Sequence, residues 1–216
     1  MKVSLLLITN NDSKYIRQCM EGILLQQFSW LTEIVVADNN STDHTLLIIQ
    51  EYNNKIPCTF NFLTNEENIS TTRNYQRGFA ACKGDYVAVI QGSDYWVDPL
   101  RLKKHIDFLD HHYECVMTMD RMVCYQEAKS LYDVSPWIEK DNYKYITSQQ
   151  IASGDKSGNF SASVFRKKEL DKIKPDFFQL PVSDWLIRMV LGQYGLIVQF
   201  KDVMSIYRIH ENNKDE

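Results

Sequence analysis

Three short polar turns carry the side chains best able to do chemistry: Thr9-Asn10-Asn11, Asp38-Asn39-Asn40-Ser41 and Gln91-Gly92-Ser93-Asp94. Each follows a largely apolar run, at residues 3–8, 33–37 and 86–90. Their amides, hydroxyls and carboxylates can hydrogen-bond a polar ligand or offer oxygen to a hard cation. Gly92 removes a side chain where a ligand could approach the backbone closely. One such turn has an ordinary explanation, because Asn, Asp, Ser and Gly make turns and cap helices. Three of them, each at the end of an apolar run, point to a site.

The elements that must hold these turns follow an alternating pattern. Residues 3–8 are almost continuously apolar, as in a strand buried on both faces. Asn11, Asp12 and Ser13 offer cap chemistry, and Ile16, Cys19, Met20, Ile23 and Leu24 recur at helical spacing. The same reading predicts strands at 33–37, 60–63 and 86–90 and helices at 46–52 and 70–81. This βαβα order predicts an α/β fold, a Rossmann-like mixed, mostly parallel sheet with helices on both faces. In such a sheet ligands bind beyond the carboxyl ends of the strands, where the three turns fall.

The second half is less regular. Helices are expected at 99–111 and 183–194, the latter ended by Gly195, and strands at 116–125, 161–165, 196–200 and 203–207. Residues 127–144 are polar and aromatic without period and read as a loop or flap over the site. The tail after His210 reads as polar and frayed. The whole chain, 1–216, is expected to be one domain, with residues 1–98 and 99–216 as its two halves.

Composition narrows the function classes. Of 216 residues, 44% are hydrophobic, and the formal net charge is −4. That supports a substantial core and no polybasic surface for nucleic acid. The clusters Arg101, Lys103, Lys104 and Arg166, Lys167, Lys168 read as solvated element ends. Cys19, Cys58, Cys82, Cys115 and Cys124 show no C-x-x-C spacing and are odd in number, which fits reduced thiols of a cytoplasmic protein. The N-terminal apolar run is too short for a signal peptide, and no stretch approaches the ~20 residues of a spanning helix.

The order of motifs resembles glycosyltransferase family 2, of the GT-A fold. The opening strand and turn run into Lys14-Tyr15-Ile16. A Val-Asp-Asp-Gly-Ser-Thr-Asp-like segment reads Val36-Ala37-Asp38-Asn39-Asn40-Ser41-Thr42-Asp43. An Asn…Ala-Arg-Asn…Gly pattern reads Asn68-Ile69-Ser70-Thr71-Thr72-Arg73-Asn74, then Gly78, Ala81 and Gly84. The D-x-D region reads Gln91-Gly92-Ser93-Asp94-Tyr95-Trp96, an acidic helix start reads Ser183-Asp184-Trp185-Leu186, and a closing Tyr-Arg-x-His reads Tyr207-Arg208-Ile209-His210.

The resemblance implies an inverting transfer of a sugar from a nucleotide-diphosphate donor, UDP-sugar favoured, to a glycan or lipid-linked acceptor in polysaccharide biosynthesis. It implies nucleotide contacts from Thr9, Asn11, Asp38, Asn39, Arg73 and Ser93, and Mg²⁺ or Mn²⁺ held through Asp94 and His210. Asp184 becomes the general base, with Leu180, Pro181, Val182 and Trp185 around it; an ordinary helix cap is the other reading of the same residue. Trp96, Ser161 and Trp185 would line the acceptor and sugar pocket, with Ser163 nearby. Work at the inner face of the membrane and a homodimer both accord with such a role.

The chain departs from the pattern in one consequential place. Aligned on Tyr95-Trp96, the D-x-D carboxylates fall at Gln91 and Ser93, which are poor replacements for anionic ligands of a hard cation. Asn39 stands for the second Asp of the Asp-Asp-Gly-Ser segment, and Asn10 for an aromatic. A second function follows from the degenerate D-x-D region alone: a catalytically impaired relative that binds a nucleotide sugar or a partner enzyme as a scaffold. A nucleotidyltransferase is disfavoured, because the first turn holds no glycine and Lys14 stands alone.

Overall fold

A computed structural model of the chain describes residues 2–27, 29–153, 158–179 and 184–210. Its first half is a parallel sheet in the order β3-β2-β1-β4, formed by β1 (Val3–Thr9), β2 (Leu31–Asp38), β3 (Thr59–Leu63) and β4 (Tyr86–Gln91). Strict alternation along β1 sends Val3, Leu5 and Leu7 into one core and Leu6 and Ile8 into the other. The first core is completed by α1 (Ile16–Leu24), α2 (Thr45–Gln50) and, later in the chain, α4 (Arg101–His111); α3 (Thr71–Ala81) closes the second.

The second half extends the same sheet. The strands are β5 (Tyr95–Trp96), β6 (Cys115–Gln126), β7 (Leu131–Asp133), β8 (Tyr143–Ile146), β9 (Ser163–Arg166) and β10 (Leu196–Ile209). Short β9 lies antiparallel between β4 and β6, so β6 again runs parallel to β4, and β10 runs parallel to β6. Among the described residues the path is β3-β2-β1-β4-β9-β6-β10-β5, with β7 on β6 and β8 on β10. Helices α5 (Ser148–Ala152), α6 (Lys167–Leu170) and α7 (Asp184–Leu191) follow; Ile151 of α5, Leu170 of α6 and Ile187 and Leu191 of α7 join the second core. The architecture is therefore the mixed α/β layering expected from the alternation.

Several details differ from the sequence reading for local reasons. The two strands expected at 196–200 and 203–207 are one strand, β10. Its register jumps between Gln199, opposite Met119, and Val203, opposite Arg121, so exposed Lys201 and Asp202 bulge outward. The loop expected at 127–144 carries a short hairpin: a 3-10 turn at Glu127–Lys129, left-handed Ser130, then β7 against β6. Helix α5 was not anticipated, although Thr147 and Gln150 form a reciprocal capping box. Expected strand 161–165 begins as a 3-10 turn, Phe160–Ala162, whose N-cap is Asn159.

All five cysteines are unpaired, and Cys19, Cys82 and Cys115 are buried. Among the described residues no helix is long and apolar enough to cross a membrane. Leu180, Pro181, Val182 and Ser183, invoked above as neighbours of Asp184, and the tail after His210 lie outside the described residues.

A candidate nucleotide-sugar site at the carboxyl rim

The first two turns are knitted together across neighbouring strands. The Asn39 amide donates to the Thr9 carbonyl at 2.8 Å, and Asn10 Nδ2 donates to the Asn39 carbonyl. Asn11 takes a left-handed conformation, φ 55°, which lets its amide donate to Ser41 Oγ at 2.9 Å and its Oδ1 accept from the Thr42 amide at 2.8 Å. Asp38 is buried, and both its oxygens accept from Ser41, at 2.5 Å from the hydroxyl and 3.0 Å from the amide. Asn39 pins the start of α3 by exchanging hydrogen bonds with the Ile69 amide and carbonyl, both at 2.9 Å.

Thr9, Asn11, Asp38 and Asn39 thus shape the rim through contacts with one another and their neighbours. Arg73 stands differently: it is exposed in the first turn of α3, with only its amide used, by the Ser70 cap. An arginine the sequence reading did not single out, Arg77, braces the second turn from one helical turn further on. It donates to the Asp38 carbonyl at 2.6 Å and to Asn74 Oδ1 at 2.7 Å.

Asp12 was expected to cap α1. Instead α1 begins at Ile16 without a side-chain cap, and the Asp12 carboxylate turns back to accept from Thr9 Oγ1 at 2.7 Å and the Asn10 amide at 3.1 Å. Burial pushes it up to about 6, with these two hydrogen bonds opposing the rise. Gly92 lies against this pair: a Cβ there would stand 2.4 Å from Asp12 Oδ2 and 2.9 Å from Thr9 Oγ1. The close approach of the third turn to the first accounts for glycine at 92.

In the third turn the carboxylate faces inward. Asp94 is 1% exposed; its Oδ2 accepts from Ser161 Oγ at 2.5 Å and its Oδ1 from the Arg208 amide at 2.9 Å. Burial pushes Asp94 up to about 7, against those hydrogen bonds. The Arg208 guanidinium lies beside the same turn. Its Nε donates to the Ser93 carbonyl at 3.0 Å, an Nη to Gln18 Oε1 at 2.5 Å, and it packs over the rings of Tyr15, Tyr95 and Tyr125. His210 lies against Tyr15, centroids 4.7 Å apart; its Nδ1 is buried with no hydrogen-bond partner among the described residues, and burial lowers its proton affinity.

Trp96 requires a correction. It was placed in the sugar pocket, yet it is 2% exposed, its Nε1 donates to the Ser161 carbonyl at 2.8 Å, and Arg101 covers its ring at 4.2 Å. An indole with a guanidinium on its face and core residues around it offers no platform for a sugar. Ser161, also placed in that pocket, is fully buried, and its hydroxyl serves Asp94. Trp185 keeps an open face, at 42% exposure.

Asp184 is the first residue of α7, and its side chain is 26% exposed. Burial raises its proton affinity, while Arg188, one turn on and 4.0 Å away, opposes the rise. Arg188 also reaches Met119 Sδ at 3.6 Å, which ties α7 to the β6 residue paired with Ser163. Arg121, two residues beyond Met119 on the same face of β6, was not anticipated; its Nε is buried with no partner among the described residues.

A wound parallel half, an antiparallel β9 insertion and polar turns at one rim define the GT-A class of nucleotide-sugar-handling folds. The chain belongs to glycosyl transferase family 2, whose model matches residues 4–174. Similar structures include Staphylococcus aureus TarS 1-349 in complex with UDP-GlcNAc, with TM-score 0.80, 21% identity and coverage of 99% of this chain and 60% of that one. They also include the mannosyltransferase PcManGT of Pyrobaculum calidifontis in complex with GDP-Man and Mn²⁺, with TM-score 0.72, 15% identity and coverage of 98% and 58%. By sequence, an uncharacterised protein of Mycobacterium tuberculosis is 28% identical over 96% of this chain and 59% of its own length. The poly(ribitol-phosphate) beta-N-acetylglucosaminyltransferase TarS of S. aureus is 32% identical over 54% of this chain and 20% of its own length. The chain thus spans about three fifths of the mycobacterial relative, 59%.

The cation implied by the resemblance meets an ill-suited donor set. Gln91 and Ser93 are neutral, Asp94 is 1% exposed and turned inward to Ser161 and the Arg208 amide, and Gln91 Nε2 donates to Tyr75 at 2.8 Å. Among the described residues no three of His, Cys, Asp and Glu are grouped to hold a metal ion. Hard divalent cations take several oxygen ligands, preferably anionic, and the described residues of this rim do not assemble them.

Proposed function

We propose that this chain is an inverting glycosyltransferase, with Asp184 as the general base that receives the proton of the acceptor hydroxyl. The observation that carries this reading is Asp184 itself: a carboxylate heading a helix on the second-core side of the sheet, mostly buried yet open enough to meet a ligand, with raised proton affinity. A carboxylate with raised proton affinity is a better acceptor for the hydroxyl proton than an exposed one.

In a single displacement the acceptor oxygen attacks the anomeric carbon, the bond from that carbon to the diphosphate oxygen breaks, and Asp184 takes the hydroxyl proton. One inversion at carbon results, through an oxocarbenium-like transition state. The first two turns would seat the nucleoside, with Thr9, Asn11, Asp38 and Asn39 fixing backbone groups and Arg73 free to reach a phosphate. Trp185, exposed and next to the base, would stack on an acceptor sugar.

A UDP-hexose donor and a glycan or lipid-linked acceptor in surface-polysaccharide synthesis are the substrates we favour; UDP-GlcNAc is bound by the TarS structure and GDP-Man by the mannosyltransferase. A cytoplasmic chain working at the membrane's inner face fits that acceptor. The reading is tested by a thermal-shift panel of UDP, GDP, CDP, ADP and dTDP. Selective stabilisation by one nucleotide, growing with its concentration, supports it; no stabilisation by any of the five refutes it.

A further inference from the structure

We propose that this rim holds the diphosphate of its donor without a divalent cation, the positive charge coming from the chain's own Arg208 beside the 93 turn. The inference rests on the nucleotide-sugar reading above and specifies how that site meets the anion.

Charge at the turn is the starting point. Where two carboxylates line such a turn, a diphosphate approaching it is repelled, and a divalent cation must lie between the two anions. Here the two positions are Gln91 and Ser93, an amide and a hydroxyl. The repulsion is absent from the outset. Gln91 is moreover fixed in a neutral role, its amide NH₂ donating to the Tyr75 hydroxyl and its backbone amide to Ser161 Oγ at 3.1 Å.

The remaining carboxylate does not replace them. Asp94 points down into the sheet, one oxygen on the Ser161 hydroxyl and the other on the Arg208 amide. At 1% exposure its oxygens are turned away from the rim, where a cation on the diphosphate would lie. The first of these hydrogen bonds ties the turn to the 3-10 turn before β9 and the second ties it to β10, and β10 delivers a guanidinium to it. Arg208 Nε lies 3.0 Å from the Ser93 carbonyl, and three tyrosine rings and Gln18 hold the group in place. A guanidinium cannot lose its proton under ordinary conditions. The turn therefore carries a fixed positive charge where the carboxylate pattern would need an exchangeable one.

The test is isothermal titration calorimetry of the full chain with the stabilising nucleotide diphosphate, once in EDTA and once in Mn²⁺. The expected result is a Kd equal within about twofold in the two buffers. A Kd at least tenfold tighter in Mn²⁺ overturns the inference while leaving the nucleotide-sugar reading intact. Absence of binding by every nucleotide diphosphate in both buffers overturns that reading and this inference with it. A second variant makes the claim specific to the turn: Ser93→Asp is expected to weaken binding in EDTA and to recover it in Mn²⁺. If Ser93→Asp binds as the wild type does in both buffers, the charge at position 93 does not set the cation requirement and the inference fails.

Discussion

The Ser161 hydroxyl donates to Asp94 Oδ2 at 2.5 Å, joining the 3-10 turn before β9 to the turn that ends β4. The same hydroxyl accepts from the Gln91 amide at 3.1 Å, and the Ser161 carbonyl accepts from Trp96 and Arg101. Ser161 is thus a hub that sets the height of the third turn above the sheet.

Its removal should be costly. Ser161→Ala leaves a buried carboxylate short of one donor and the Gln91 amide without an acceptor, and we expect a loss of about 2–4 kcal/mol in urea unfolding. Ser163→Ala removes only a hydrogen bond to the Asn159 carbonyl and should cost about 1 kcal/mol. Equal losses in the two variants would contradict the hub.

Two arginines of α3 separate architecture from ligand contact. Arg77→Ala should destabilise the fold by about 1–3 kcal/mol, because it removes a guanidinium bonded to the Asp38 carbonyl and Asn74. Exposed Arg73→Ala should change stability by no more than about 0.5 kcal/mol yet weaken nucleotide diphosphate binding several-fold. Unfolding curves and calorimetry on the same preparations check both.

Buried charge beneath the site should give the fold an acid limit. Arg101 Nε and His105 Nε2 both lie on Asp120 Oδ2, at 2.7 and 3.2 Å, and all three residues are fully buried. Burial first, then the neighbouring Arg101 charge, pushes His105 down to about 4 from 6.5. Because the folded state resists protonating His105, stability is full above pH 6.5, falls as pH drops below it, and levels off below about 4. Replacing His105 with Gln should flatten the urea midpoint between pH 6.5 and 4.5; an unchanged slope would remove His105 as the cause. Asp120→Ala leaves Arg101 buried without its partner and should cost about 3–5 kcal/mol.

Transfer should also report the base. Since burial raises Asp184 from the usual aspartate value, the rate should rise with pH as the group ionises, with a midpoint above that of an exposed aspartate. A rate flat through the acid limb, measured where the fold is intact, would argue against Asp184 as the base.

Much of this could be read from the residues. Apolar runs ending in polar turns predicted the strands, and the nearly unbroken apolar run at residues 3–8 predicted a strand buried on both faces. What escaped was set by tertiary contacts. Asp12 has ordinary capping chemistry in sequence, and only the fold turns its carboxylate back on Thr9. Trp96 carries no local sign that Arg101 will cover its ring. Arg77 has the same residue type and helix as Arg73, and one helical turn decides which of them meets Asp38. The Lys201–Asp202 bulge in β10 reads as a strand break because the pattern cannot show a register jump. The capping box at Thr147 and Gln150 was legible and was masked by the polarity around it.

The most direct measurement compares Asp184→Asn with the wild type in two assays: calorimetric binding of the stabilising nucleotide diphosphate, and release of that nucleotide from its sugar donor in the presence of acceptor. A lost general base should slow transfer by roughly 10²–10⁴-fold while the nucleotide Kd stays within about twofold. Transfer by Asp184→Asn at the wild-type rate would contradict the account.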